Sequence, residues 1–380
     1  MTEILELTIE KIVPGGYGLG HANGFAVFVP LTAVGDKVRA KVVKKSEKFY
    51  KAELVEIIEA SPFRQKPRCQ YFGNCGGCDF QHLKYEFQLK AKVGVIYDCL
   101  RRIAGIDYEN EIQVIPSYEF EYRLRAEWHV RDGRIGYFRY NSNHLVEIEH
   151  CSILAPRLQE LLTDLRYGKK YEGIEKTEIE VITDGDKTSV FSALEKEPSD
   201  VELTIGKERY LVNARLFFQA NRYLLVDMLD RTVGDAGGER CLDLYCGVGF
   251  FTLPLARRFK EVYAVEQAGE AIGYARRNAE MAGLKNIKFF AQKVSSFLDR
   301  SLPELDLVLL DPPRTGAEGR VIEKIIFLEP AEIYYVSCDP ATLARDLKKL
   351  VKKYGIYSIT AIDLFPQTHH IETIVKLRRI

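Results

Sequence analysis

The chain has 380 residues, 46% of them hydrophobic and 28% charged, with 54 basic residues balanced by 54 acidic ones. That length suits two or three domains, and the composition excludes a disordered or fibrous protein. Zero net charge excludes a bulk attraction to nucleic acid, so any such contact must rest on local basic patches.

The N-terminal MTEILELTIEKIV has no basic region ahead of a long apolar run, and no stretch approaches the ~18 consecutive apolar residues of a membrane span. The expectation is a cytoplasmic protein with no membrane partner. Residues 1–60 read as all-β: LELTIEKIV, GFAVFVP, DKVRAKVVK and YKAELVEIIE are short, partly alternating and separated by Gly and Pro turns. Five or so such strands suit a small OB-like barrel. Lys41, Lys44, Lys45, Lys48 and Lys51 crowd one stretch of it and either guard a strand edge or face RNA.

Residues 61–215 form a mixed segment. A cysteine-rich loop leads into a predicted helix over 84–103, then come the strand-like runs YRLRAEWHVRD, RIGYFRY and LVEIEHC and a helix over 156–166. Arg123, Arg125, Arg131, Arg134 and Arg139 are interleaved with Tyr122, Trp128, Tyr137, Phe138 and Tyr140, which suits stacking on single-stranded RNA unless the alternation marks a core face. Residues 216–380 alternate strand and helix, from CLDLY to ETIVKLRRI, with helices such as 269–282 and 340–353 between. This pattern predicts a parallel sheet covered on both faces. The last two strands lack a crossover helix and should pair as an antiparallel hairpin.

Asp243-Leu-Tyr-Cys-Gly-Val-Gly249 follows a strand and opens a helix. Glycines there permit a tight turn and close approach to a ligand, but Thr252 stands where a third phosphate-binding glycine would be. Glu266 ends the next strand, placed to accept both hydroxyls of a ribose. Ribose recognition without a pyrophosphate cradle favours S-adenosylmethionine over a dinucleotide. Asp311-Pro-Pro-Arg314 ends a further strand, so Asp311 should face the same cleft.

Cys338, in Val336-Ser-Cys-Asp-Pro340, ends a strand just before a helix with Asp339 as N-cap and Pro340 at its first position. The helix dipole there should lower the thiol pKa. Carbon 5 of uracil is too weak a nucleophile to take a methyl group directly. A thiolate added to carbon 6 makes an enolate whose carbon 5 can, after which a base must remove the carbon 5 proton. Phe365-Pro-Gln-Thr-His-His-Ile-Glu372 offers His369, His370 and Glu372 for that step, and spacing alone does not choose among them. Cys69, Cys75 and Cys78 lie in a glycine-rich loop, with Cys151 as the best fourth thiolate. Four such ligands suit either zinc or an iron–sulfur cluster.

With these four methyltransferase-domain motifs in order, the chain resembles the RNA 5-methyluridine methyltransferases, in the subgroup with an N-terminal TRAM barrel and an iron–sulfur cluster. The resemblance implies an α/β protein: a Rossmann-like class I methyltransferase domain with an antiparallel final strand, the OB-like TRAM barrel, and a mixed α/β central domain carrying the cluster. It implies Cys338 as nucleophile, Glu372 as base, S-adenosylmethionine contacts from Gln219, Tyr245, Glu266 and Asp311, and a [4Fe-4S] cluster on Cys69, Cys75, Cys78 and Cys151. A monomer acting on RNA is expected, on large-subunit ribosomal RNA first and the T-loop of tRNA as the alternative. Phe250 and Lys293 stand where Asn is frequent in the family, and Leu124 replaces an Asn in Tyr122-Arg-Leu-Arg-Ala126. The rival readings are a methyltransferase of amines, which needs no cysteine, and a non-catalytic RNA-binding protein.

Overall fold

The computed structural model describes residues 3–380; residues 1 and 2 of the expected first unit lie outside the described residues. The first unit has six strands: β1 (Ile4–Thr8), β2 (Lys11–Val13), β3 (Tyr17–Ala22), β4 (Phe25–Val29), β5 (Lys37–Lys45) and β6 (Phe49–Glu59). They form one sheet in the order β1-β5-β6-β4-β3-β2. Alternation along β1 and β5 turns Leu5, Leu7, Val38, Ala40 and Val42 inward against Val27 and Val29. β3 lies so close to the end of β1 that a Cβ at Gly20 would fall 2.3 Å from the Thr8 carbonyl oxygen. Only glycine permits that approach, which curls the sheet toward the expected barrel form. The five lysines are all exposed.

The cysteine loop leads into α1 (Tyr85–Cys99), which runs on as a π-helical turn over Leu100–Ala104 and stops at Gly105, φ 71°. A short strand, β7 (Gln113–Ile115), follows. β8 (Arg125–Arg131), β9 (Arg134–Phe138), β10 (Leu145–Glu147), β11 (Lys176–Thr183) and β12 (Thr188–Ser192) form a sheet in the order β10-β9-β8-β11-β12. Helix α2 (Pro156–Tyr167) packs Leu158, Leu162 and Leu165 into a core with Trp128, Val130 and Ile179.

That core revises the expectation of an arginine–aromatic RNA face. The alternation serves burial instead: Tyr122 and Trp128 are fully buried, Arg125 pairs with Glu180, and the Arg139 Nε donates to Asn74. A period of two reports one buried face, and here Tyr122 and Trp128 occupy it, whereas Tyr140 is exposed.

The hairpin β13 (Val201–Ile205) and β14 (Glu208–Val212) joins this region to the last unit. There α3 (Leu225–Val233), β15 (Gly238–Leu244), α4 (Thr252–Ala256), β16 (Phe259–Glu266), α5 (Gly269–Met281), β17 (Ile287–Ala291), α6 (Val294–Phe297), β18 (Leu307–Leu310), α7 (Gly319–Leu328), β19 (Glu332–Ser337), α8 (Pro340–Leu350), β20 (Tyr354–Ile362) and β21 (Glu372–Arg379) follow in turn. The sheet order is β17-β16-β15-β18-β19-β21-β20-β7. β15 pairs parallel with β16 and β18, and β18 with β19. β21 runs antiparallel between β19 and β20, as its missing crossover predicts. α8 ends three residues short of Lys353. β7, expected in the central unit, pairs with β20 and extends this sheet, so the chain crosses the boundary drawn at 215.

Candidate active site

Parallel pairing puts the carboxyl ends of β15, β16, β18 and β19 along one edge of the sheet, where open α/β folds bind ligands. Tyr245 follows β15, Glu266 ends β16, Asp311 follows β18 and Cys338 follows β19. β21 runs the opposite way, so its first residue, Glu372, lies at the same edge. Ser337 is paired with Thr373, which sets Cys338 and Glu372 side by side. Asp339 caps α8 by accepting from the Thr342 amide at 2.7 Å, with Pro340 at the first helical position.

Glu372 is 4% exposed, and its Oε1 has no hydrogen-bond partner among the described residues. A buried carboxyl oxygen without a partner is costly, which marks Glu372 as a candidate functional group. Burial lifts its pKa well above the ordinary carboxylate range; Asp311 adds to the rise and Arg314 opposes it. The Cys338 thiol is half-buried and its pKa is pushed up to about 12, first by burial and then by Glu372, with Arg314 opposing. Against the expectation of a thiol acidified by the helix dipole, burial and the neighbouring carboxyl groups push it the other way.

The Gln219 amide reaches toward Asp311 at 3.5 Å from the loop preceding α3. Burial, then Asp243, raises Asp311. Asp243 itself is 1% exposed and is lifted to about 7 by burial, against a 2.5 Å hydrogen bond from the Thr252 hydroxyl. Its Oδ1 is unpartnered. Asp243 was not among the residues singled out by sequence; its place at the head of the glycine motif was the available signal. Arg314 was read only as part of a motif, yet it is the cation that acts on both Cys338 and Glu372.

Tyr245, Gly247 and Gly249 have φ of 65°, 53° and 93°, which folds the motif into a tight loop. Nothing lies within 4 Å of a Cβ built on Gly247, so the loop backbone is open on that side. Glu266 Oε1 accepts from the Ala268 amide at 2.8 Å. These features, with the orphaned oxygen of Asp243, fit an S-adenosyl ligand. Phe250 instead packs against Tyr210, Phe218 and Phe251 in the core, and Lys293 is exposed ahead of α6.

The segment from Phe365 to Glu372 is held from several sides. His369 pairs with Asp79, and the Gln367 carbonyl accepts from the amides of Asp79 and Phe80. His370 is pushed down to about 2 by burial and by the surrounding cationic side chains, so it stays neutral.

Cys69, Cys75, Cys78 and Cys151 line one cavity together with Arg123 and Tyr137. Burial raises Cys75 to about 11, Cys78 further, and Cys151 as well, with neighbouring cysteines of the set adding to each rise. No three of the four sulfurs lie within 4.8 Å of one another among the described residues.

Fold and site together define a methyltransferase of the doubly wound α/β type, fused to a small β unit. Residues 169–380 match the model of the tRNA (Uracil-5-)-methyltransferase family, and residues 2–55 match that of the TRAM domain. The chain therefore belongs to the RNA uracil-5 methyltransferase family. It is 34% identical to an uncharacterized RNA methyltransferase of Aquifex aeolicus over 98% of both chains, and 32% identical to one of Synechocystis over 99% of this chain and 96% of the other. The crystal structure of Pyrococcus abyssi tRNA (uracil-54, C5)-methyltransferase in complex with S-adenosyl-L-homocysteine matches with a TM-score of 0.77 at 26% identity, covering 98% of this chain and all of that one. No helix among the described residues is long and apolar enough to cross a membrane.

Proposed function

We propose that the protein methylates carbon 5 of a uridine in RNA through a covalent adduct on Cys338. One observation carries the reading: the Ser337–Thr373 pairing sets the half-buried Cys338 thiol beside a buried carboxyl, Glu372, that has an unpartnered oxygen. S-adenosylmethionine supplies the methyl group, held by Gln219, Tyr245, Glu266 and Asp311. Cys338 Sγ, its proton released to solvent, bonds to carbon 6 and turns carbon 5 into a nucleophile. Carbon 5 gains the methyl group, Glu372 takes the carbon 5 proton, and the Sγ–carbon 6 bond breaks to release the product.

Cys69, Cys75, Cys78 and Cys151 hold a [4Fe-4S] cluster in this reading. A single tetrahedral zinc would draw its thiolates together more tightly than these sulfurs stand, whereas a cubane spreads them. The cluster supplies a structural clamp, since the reaction moves no electrons.

The test is release of tritium from RNA labelled at uridine carbon 5. The wild type releases tritium in proportion to methyl transfer, and Cys338→Ala loses more than ~10³-fold in rate. Methyl transfer that persists in Cys338→Ala without tritium release would support an amine methyltransferase instead. Ribosomal RNA is the first substrate expected; the full-length likeness to the Pyrococcus abyssi enzyme favours tRNA as a second reading. Mass spectrometry of unmodified transcripts of each, after incubation with the protein, separates the two.

A further inference from the structure

Beside the site the chain displays aromatic rings that its core does not use. Tyr118 is 72% exposed, and its ring lies 4.6 Å from that of Tyr223. The Arg222 guanidinium lies over the Tyr223 ring at 4.7 Å and donates to its hydroxyl at 2.7 Å. Close in sequence to Tyr118, Arg68 lies over the Phe120 ring at 4.7 Å.

The two tyrosines are fixed from below. Asn221 is fully buried; its Nδ2 donates to the Ser117 hydroxyl and the Leu364 carbonyl, while its Oδ1 accepts from the Tyr223 amide. Ser117 precedes Tyr118, Leu364 leads into the loop that ends at Glu372, and Gln219, two residues before Asn221, reaches Asp311. One buried amide thus ties the pair, exposed Tyr118 and half-buried Tyr223, to both halves of the site. Arg68 and Arg222 supply cations at this surface, against the exposed Glu121 and a Glu119 whose carboxylate accepts from Gln367.

We propose that Tyr118 and Tyr223 form a stacking platform for an unpaired RNA base adjacent to the target uridine. The proposal rests on the uridine-methylation reading. A uridine that reaches Cys338 must leave its stack, which opens the faces of its neighbours. An aromatic pair flanked by guanidinium groups restores stacking to one of them and meets its phosphate with positive charge. Stacking accepts any base, so the platform contributes affinity rather than sequence choice.

The test uses the full chain with S-adenosylhomocysteine and a fluorescent single-stranded 11-nucleotide RNA centred on one uridine, followed by anisotropy. Tyr118→Ala is expected to weaken binding roughly 5- to 150-fold, and Tyr118→Phe to bind as the wild type does. The same RNA with abasic residues on both sides of the uridine should bind the wild type and Tyr118→Ala equally. Tyr118 is exposed, so its truncation leaves the fold intact. Unchanged affinity of Tyr118→Ala for the complete RNA, or the same weakening on the abasic RNA, overturns the platform. Tritium release by the wild type is read in parallel: its absence counts against the uridine reading, whereas normal release beside unchanged Tyr118→Ala affinity counts against the platform alone.

Discussion

Cys338 rests as a thiol. With its pKa near about 12, raised by burial and Glu372, only a small fraction is thiolate at neutral pH. Iodoacetamide should therefore label Cys338 of the free protein at least ~10-fold more slowly at pH 7 than an unperturbed thiol of pKa ~8.5, with the rate climbing as pH rises. Labelling as fast as a free thiol would contradict this. Asp243 titrates differently in the folded and unfolded chains. The denatured chain gives up this proton near ~3.9, while the folded chain keeps it to about 7, so this group costs stability as pH rises through that window. The melting temperature of Asp243→Asn should fall less between pH 5 and pH 8 than that of the wild type; equal slopes would remove the argument. The placement of Cys338, Glu372 and Asp311 at one edge of the sheet could be read from the sequence because each follows or begins a strand within a compact motif. The orphaned oxygen of Asp243 and the reach of Arg314 could not, since burial and orientation are set by strands far apart in the chain.

The element that positions Glu372 is the loop from Phe365 to Glu372, and helix α1 anchors it with polar side chains. Lys92 is fully buried, donating to Asp363 at 2.6 Å and to the Phe365 carbonyl at 3.0 Å. One turn earlier, Gln88 exchanges two hydrogen bonds with Gln367, and Tyr85 accepts from the Ser117 amide. Buried ion pairs add little net stability, but breaking one strands a charge. Lys92→Met should cost about 3–5 kcal/mol in chemical denaturation, and Lys92→Met with Asp363→Asn should recover most of it. Under stabilising conditions Lys92→Met should also lower the turnover rate more than it raises KM for RNA. A neutral Lys92→Met would show that the pair does not hold the loop. Nothing in the sequence pointed to this contact: its partners are 271 residues apart, and a helix with a polar inward face gives no amphipathic signal. The three-residue β7 was likewise too short to register as a strand of the large sheet.

Across the whole molecule, all three units meet at that loop. Asp79, next to Cys78, holds His369, and the Tyr122 hydroxyl donates to the Pro366 carbonyl at 3.0 Å. From the N-terminal unit, Gly16 packs so closely that a Cβ there would fall 2.9 Å from His369 Cβ, at a φ of 76° that already favours glycine. The order of units was visible in the sequence because each has its own hydrophobic period. Their meeting point was not, because it is built from single side chains and backbone amides. Anaerobically purified protein should carry about four iron and four sulfide per chain, and Cys78→Ser should lose them with a drop in melting temperature; about one zinc per chain would refute the cluster. The central claim, a covalent bond from Cys338 to a uracil ring, is tested most directly with RNA in which 5-fluorouridine replaces uridine. Fluorine at carbon 5 cannot leave as a proton, so the wild type should yield a methylated protein–RNA adduct that survives a denaturing gel, and Cys338→Ala should yield none. An adduct that persists in Cys338→Ala, or turnover on natural RNA with no adduct in the wild type, would contradict the account.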